Sequence, residues 1–264
     1  PRQSLSKDQE KWMAGMNRHI LVTGHMRAGS SLLYSMLQRT LSGFNIPGPE
    51  FPARAVIHMP GNTCSRRGYD LFDFDRIVEA AEGRKGLDLI VMLRDPRDIL
   101  TSFDERLPDD YLCSADRSYF VAAQGGPQQI LPGLLQIHDQ IARIAAMNLP
   151  LGIVMLKYEH LVAEPRRVQN LLADGLGLTF SGDFSQYHTR EIDSHGPDLA
   201  GVRPADAPRV EKWRAPHHRE RIIDQFTRFP ALHDVVVDLG YEADAGWFDR
   251  YTAEDIGHGI ALGA

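Results

Sequence analysis

His19-Ile20-Leu21-Val22-Thr23-Gly24-His25-Met26-Arg27-Ala28-Gly29-Ser30-Ser31-Leu32-Leu33 is the stretch that decides the fold. Its first six residues form a short apolar run ending in glycine, the pattern of a buried strand entering a tight turn. From Ser30 to Leu41, Leu32, Leu33, Met36 and Leu37 recur at helical spacing, with Ser30 placed as N-cap. Strand, glycine turn and helix open an α/β unit. The spacing from Gly24 to Gly29, G-x4-G, is that of a loop in which backbone N–H groups and a helix N-terminus hold an anion. Such loops usually end G-K-[ST]; here the ending is Gly29-Ser30-Ser31, and Arg27 supplies a cation from inside the loop. The missing Lys and its Mg²⁺ ordinarily neutralise the outer phosphates of a triphosphate. The loop therefore suits a 5′-phosphate beside a monoanionic group better than ATP or GTP.

Working outward, Asp88–Leu93 reads as a second buried strand, followed by Arg94-Asp95-Pro96-Arg97-Asp98 and a helix through Phe103. Arg94 falls at the strand's C-terminal end, where α/β folds bind ligands, and Ser102 follows about two helical turns later. Gly152–Leu156 reads as a third strand, and Pro165 opens a helix stopped by Gly175 and Gly177. Further helices are expected at Phe74–Ala81, Gln129–Met147 and His218–Phe229. Residues 44–52 are proline-rich loop, and the rest of 53–86 is irregular. Residues 105–128 lack a period, 181–217 are mostly loop, and the last 30 are weakly patterned. Residues 1–18 read as a polar lead-in. The expectation is one α/β domain over 1–264: a P-loop-type three-layer domain with a central parallel sheet flanked by helices.

Composition excludes several classes. The chain has 264 residues, 43 % of them hydrophobic, enough for a sizeable core, so disorder and fibrous repeats are excluded. A net charge of −6 differs from that of a globally basic nucleic-acid binder. Cys64 and Cys113 make no disulfide framework and have no partner at metal-ligand spacing, so both are expected buried and reduced. The longest nearly apolar stretch, Ile144–Leu156, is broken by Asn148, Pro150 and Gly152 and falls short of the ~18 residues a span needs. The beginning of the sequence lacks the apolar run of a signal peptide. The expectations are a cytoplasmic protein with no nucleic-acid partner and no integral membrane contact.

Taken together, Arg27-Ala28-Gly29-Ser30-Ser31 after one strand and Arg94-Asp95-Pro96-Arg97-Asp98 with Ser102 after the next resemble the sulfotransferases that use 3′-phosphoadenosine 5′-phosphosulfate. Tyr158-Glu159-His160-Leu161 with Pro165 is similar to a third segment of that family. Arg203 to Arg214, containing Trp213, is similar to its C-terminal basic loop, which closes over the nucleotide. The resemblance spans roughly residues 19–226. It implies that Arg27, Ala28, Gly29, Ser30 and Ser31 cradle the 5′-phosphosulfate and that Arg94 and Ser102 bind the 3′-phosphate. It further implies that Tyr158, Arg209, Lys212, Trp213 and Arg214 complete the nucleotide site. Independently of the family, Arg203–Arg228 carries three more cations than carboxylates in an acidic chain, which suits an anion lid. Trp213 has two readings there, stacking on a base or packing into the core.

Sulfuryl transfer needs a base for the acceptor hydroxyl and positive charge on the sulfuryl oxygens and the leaving phosphate. Arg27 and the loop amides suit the second requirement, and no metal is needed. For the base, Glu50 in Pro49-Glu50-Phe51 lies where some members of the family carry a catalytic Glu, and it is placed ahead of His58. Phe51, Pro49 and Pro52 are compatible with the desolvation that raises a carboxylate's basicity. Arg66 and Arg67 read as a surface pair, with contact to an anionic acceptor as the alternative. The expected co-substrate is 3′-phosphoadenosine 5′-phosphosulfate, leaving as adenosine 3′,5′-bisphosphate. The acceptor is a hydroxylated small molecule, glycan or lipid, and the protein a monomer or homodimer. The alternatives are a P-loop kinase, against which the missing Lys counts, and a nucleotide-binding protein without catalysis.

Overall fold

The structure is a computed structural model, and it describes residues 16–48, 50–121, 126–130, 132–147, 149, 152–189 and 210–253. Its contacts gather into two compact units: residues 1–94 with 136–210, and 95–135 with 211–264.

The first unit is an α/β layer built on five parallel strands. They are β1 (Arg18–Gly24), β2 (Phe44–Asn45), β3 (Asn62–Arg66), β4 (Gly86–Leu93) and β7 (Gly152–Lys157), in the spatial order β2-β3-β1-β4-β7. The central pair is in register from Arg18 opposite Gly86 to Gly24 opposite Met92. Alternate residues of the strands face opposite layers. Ile20, Val22, Ile90, Met92 and Leu156 form one buried face under α1 (Ser30–Thr40) and α7 (Pro165–Leu176), which contribute Leu33, Met36, Leu37, Val168 and Leu172. On the other side, α3 (Phe74–Ala81) packs on β4. It is tied to α5 (Leu134–Ala146) by the Arg143–Asp75 ion pair at 3.3 Å. The expected parallel sheet flanked by helices is what the chain forms.

One central strand is invisible to apolar patterning. β3, with the sequence NTCSR, lies between β2 and β1, yet 53–86 outside α3 reads as irregular. Its hydroxyls are paid for by a neighbour: the buried His19 ring meets Thr63 Oγ1 at 2.9 Å and Ser65 Oγ at 3.1 Å. Lys85 Nζ donates to Thr63 Oγ1 at 2.9 Å and to the carbonyl of Met59 at 2.7 Å. A strand can be polar and buried when every polar group finds a partner.

The second unit carries α4 (Pro96–Leu100), an antiparallel pair of β5 (Ser118–Phe120) with β6 (Gln128–Ile130), and the helices α8 (Arg219–Arg228), α9 (Ala231–Asp238) and α10 (Trp247–Ala253). Here the expected helix over Gln129–Met147 is corrected: 128–130 are strand, and the helix starts at Leu134. Pro132 disfavours helical geometry in the residue before it, and a Cβ on Gly133 would lie 2.3 Å from the backbone of Arg117. The weakly patterned C-terminal region contains two helices around an aromatic cluster of Trp213, Phe226, Trp247 and Tyr251. Neither Cys64 nor Cys113 is in a disulfide, and both are buried. Among the described residues no helix is long and apolar enough to cross a membrane.

Candidate active site

In the first unit the chain leaves β1 toward β2 and β3 on one side, whereas β4 is followed by β7 on the other. The C-terminal ends of β1 and β4 thus flank the point where strand order reverses, the usual ligand crevice of an open α/β sheet. Two segments of the sequence reading end there: Gly24–Ser31 after β1 and Arg94 after β4.

Glycine is required at both ends of the loop. Gly24 has φ 133°, and a Cβ there would stand 2.1 Å from the carbonyl oxygen of Met92. The loop turns back through His25, whose N–H donates to Met92 O at 2.9 Å, and Ala28, whose N–H donates to His25 O at 3.3 Å. Arg27, at φ 59°, is exposed in a left-handed conformation that non-glycine residues seldom adopt. Gly29, at φ 83°, is the N-cap of α1, so Ser30 is the first helical residue rather than the cap. The first intrahelical bond runs from Leu33 N–H to Gly29 O at 3.0 Å. The amides of the first turn therefore have no intrahelical acceptor and form the positive end of the helix dipole. Ser30 is half-buried and Ser31 exposed on that turn.

Arg94 and Tyr158 join this loop. The guanidinium of the buried Arg94 donates to Arg27 O at 2.9 Å and lies 4.4 Å over the ring of Tyr158. Tyr158 opens α6 (Tyr158–Ala163) directly after β7. Its ring lies so close to Gly29 that a Cβ there would be 2.5 Å from it. Three segments, each following a different strand, therefore meet in one contact set: Arg27 and Gly29, Arg94, Tyr158.

One strand further along the same edge stands Glu50. Arg66, the last residue of β3, is in register with Val22 of β1, and its guanidinium pairs with Glu50 Oε2 at 3.5 Å. Burial pushes Arg66's pKa down, while the Glu50 and Tyr34 charges push it back up. Arg66 is thus a buried cation and not the surface residue expected. Glu50 is 48 % exposed on its side chain, and Phe51, itself exposed, lies against Gly48. His58 is exposed in the turn after the short helix α2 (Ala53–Val56). Pro49 lies outside the described residues.

The second unit holds the other candidates, and there they are engaged internally. Asp95 accepts from Arg97 N–H at 2.9 Å as the cap of α4. Arg97 is sandwiched between Trp213 at 4.0 Å and Trp247 at 4.7 Å, and paired with Asp95 at 2.8 Å and Glu242 at 2.5 Å. Trp213 is 1 % exposed, which is the core-packing reading of that residue and leaves no free face for a base. Arg214 also lies over its ring, at 4.4 Å. Lys212 Nζ donates to Thr101 O at 2.9 Å, which brings it beside Ser102; the buried Ser102 hydroxyl donates to Asp98 O at 3.3 Å. Arg219 and Arg221 bind backbone carbonyls of Tyr251 and Cys113, so part of the local positive charge is structural. Arg203 and Arg209 lie outside the described residues.

Asp70 was missed by the sequence reading. It is 2 % exposed in the 3-10 turn Gly68–Leu71, and its Oδ2 accepts the Ala53 N–H at 2.8 Å. Burial pushes its pKa up to about 6, against the pull of that hydrogen bond and of Arg67. Its signal would have been the Arg66-Arg67-Gly68-Tyr69-Asp70 sequence, had β3 been recognised before it. Among the described residues no group of three or more His, Cys, Asp or Glu is placed to hold a metal ion.

No protein-family model and no curated protein matches the chain. Among solved structures it is similar to the sulfotransferase domain of the Synechococcus PCC 7002 olefin synthase, at 15 % identity and TM-score 0.49, over 81 % of this chain and 95 % of that one. It is also similar to a sulfotransferase domain from the curacin biosynthetic pathway, at 14 % identity and TM-score 0.47, over 80 % of this chain and 98 % of that one. Both neighbours are sulfotransferase domains. At such low identity the function of this chain rests on its own residues.

Proposed function

We propose that the chain is a sulfotransferase that moves the sulfuryl group of 3′-phosphoadenosine 5′-phosphosulfate to an acceptor hydroxyl. The observation that carries this reading is the contact set at the end of the sheet, where Arg94 braces the carbonyl of Arg27 at 2.9 Å over Tyr158. A loop of this kind, with a helix N-terminus and one exposed Arg but no Walker Lys, fits a phosphosulfate better than a triphosphate.

In the reaction the acceptor oxygen attacks sulfur, the bond from sulfur to the 5′-phosphate oxygen breaks, and the acceptor proton leaves to a base. Arg27 and the first-turn amides of α1 take up the charge that grows on the leaving phosphate, in an environment arranged before the reaction begins. Arg94 keeps the loop in that arrangement and adds positive charge beside it. Glu50 is the carboxylate on the same sheet edge that takes the acceptor proton; Arg66 orients it. Arg94 is assigned to the 3′-phosphate as well, and the acceptor is an alcohol or phenol.

The test is incubation with the phosphosulfate donor and a panel of alcohols, phenols and sugars, reading adenosine 3′,5′-bisphosphate release and sulfate-ester mass. Native protein should release the bisphosphate with ester formed, and Glu50→Gln should bind the nucleotide normally and lose turnover. Full turnover by Glu50→Gln would transfer the role of base to His58. Phosphoryl transfer from ATP–Mg²⁺ in place of sulfuryl transfer would replace the reading with a kinase.

A further inference from the structure

The segment that carries Glu50 has little structure of its own. Between β2 and α2 it contains Pro47, Pro49 and Pro52, which have no N–H to give to a ladder. It is held by side chains that come from elsewhere. Tyr34 of α1 donates its hydroxyl to Pro47 O at 2.8 Å, and Gln38 donates to Gly48 O at 3.4 Å. Arg66 of β3 pairs with Glu50 at 3.5 Å, and Asp70 accepts the Ala53 N–H at 2.8 Å. Arg66 and Asp70 sit on one short piece of chain, and that piece is fixed to β1, whose Thr23 hydroxyl donates to Gly68 O at 3.4 Å. The carboxylate is thus held at its own side chain and again three residues later, from a single support anchored beside the anion loop.

We infer that Asp70 is a positioning residue for Glu50: by gripping the Ala53 amide it sets where the candidate base stands relative to the sheet edge. The inference rests on the reading of Glu50 as the base. Its cost to the fold supports it. Asp70 keeps a nearly inaccessible carboxyl to hold one backbone amide and a loose Arg67 contact at 3.8 Å. A buried carboxylate with so few partners is expensive. Small displacements of a reacting group cost far more in rate than in binding.

The experiment compares native protein with Asp70→Ala, Asp70→Asn, Ala53→Pro and Glu50→Gln. Three quantities are read: affinity for adenosine 3′,5′-bisphosphate, kcat and KM for release of that product from the phosphosulfate donor (to water or to the best alcohol of the panel), and amide hydrogen exchange over 46–53. Asp70→Ala should lower kcat on the order of 10- to 100-fold, leave nucleotide affinity and donor KM within about twofold, and speed exchange at Ala53. Asp70→Asn should restore most of kcat and the protection, because an amide oxygen accepts the same N–H. Native kcat in Asp70→Ala, or no rescue by Asn, overturns the inference. If Asp70→Ala does not fold, Ala53→Pro carries the test: it removes the N–H that Asp70 grips at a first helical position that tolerates proline, kcat should fall while nucleotide affinity holds, and an unchanged kcat there overturns the inference equally. Absence of nucleotide binding in native protein, or full turnover in Glu50→Gln, is failure of the functional reading instead. The exchange data then still report whether Asp70 grips the segment.

Discussion

Arg94 shows how one side chain can tie three segments of chain together. It stands where the sheet ends, donates to the loop carbonyl of Arg27 and lies on Tyr158. A charge-assisted bond of this kind is worth about 1.5–3 kcal/mol, so its removal should be felt by any ligand that uses the loop. Arg94→Ala is expected to weaken adenosine 3′,5′-bisphosphate about tenfold or more, and adenosine 5′-phosphate by a smaller but measurable factor. Titration of both ligands into both proteins checks this; an unchanged affinity for adenosine 5′-phosphate would show that the brace does nothing for the loop. The residue-level roles that could be read in advance were those with rigid backbone demands. Gly24 and Gly29 at positive φ are fixed by contacts with Met92 and Tyr158 that no larger residue would allow. Asp70 could not be read this way, because its partner is a backbone amide 17 residues distant.

At the scale of elements, the sheet was legible where strands are apolar on both faces and hidden where one is polar. β1 and β4 announce themselves; β3 does not, since its Thr63 and Ser65 are polar and are satisfied across the sheet by His19 of β1. That solution has a consequence for pH. Burial holds His19 and His25 neutral, with pKa values lowered from 6.5 to about 3, and His218 similarly to about 4. The unfolded chain therefore binds more protons than the folded one between pH 6.5 and those values, and stability falls on acidification through that window. Asp70, raised to about 6, acts in the opposite sense between its ordinary value and pH 6. One carboxyl opposes three imidazoles, so the net effect is acid lability. Each fully titrating histidine contributes a slope of up to about 1.4 kcal/mol per pH unit. Urea midpoints measured from pH 7 to 4 should decline steadily, and His25→Phe should flatten the decline. A midpoint that is constant over that range would contradict the burial of these rings as neutral groups.

For the molecule as a whole, the strand–loop–helix opening was enough to foresee an open parallel sheet flanked by helices. What sequence reading could not supply was the second unit's interior. The Arg94-Asp95-Pro96-Arg97-Asp98 run divides its labour: Arg94 turns to the loop, while Asp95, Arg97 and Asp98 hold their own unit together through Trp213, Trp247 and the Glu211 and Trp213 amides. Spacing alone treats those charges alike; only packing separates them. On the proposed reading, the loop at the end of β1 and β4 takes a 3′-phosphorylated adenosine nucleotide rather than a triphosphate. Calorimetric titration with adenosine 3′,5′-bisphosphate and with ATP, each with EDTA and then with Mg²⁺, tests it most directly. Tight binding of the bisphosphate that Mg²⁺ and EDTA leave unchanged is expected, with little binding of ATP. Preference for ATP with Mg²⁺ would contradict it.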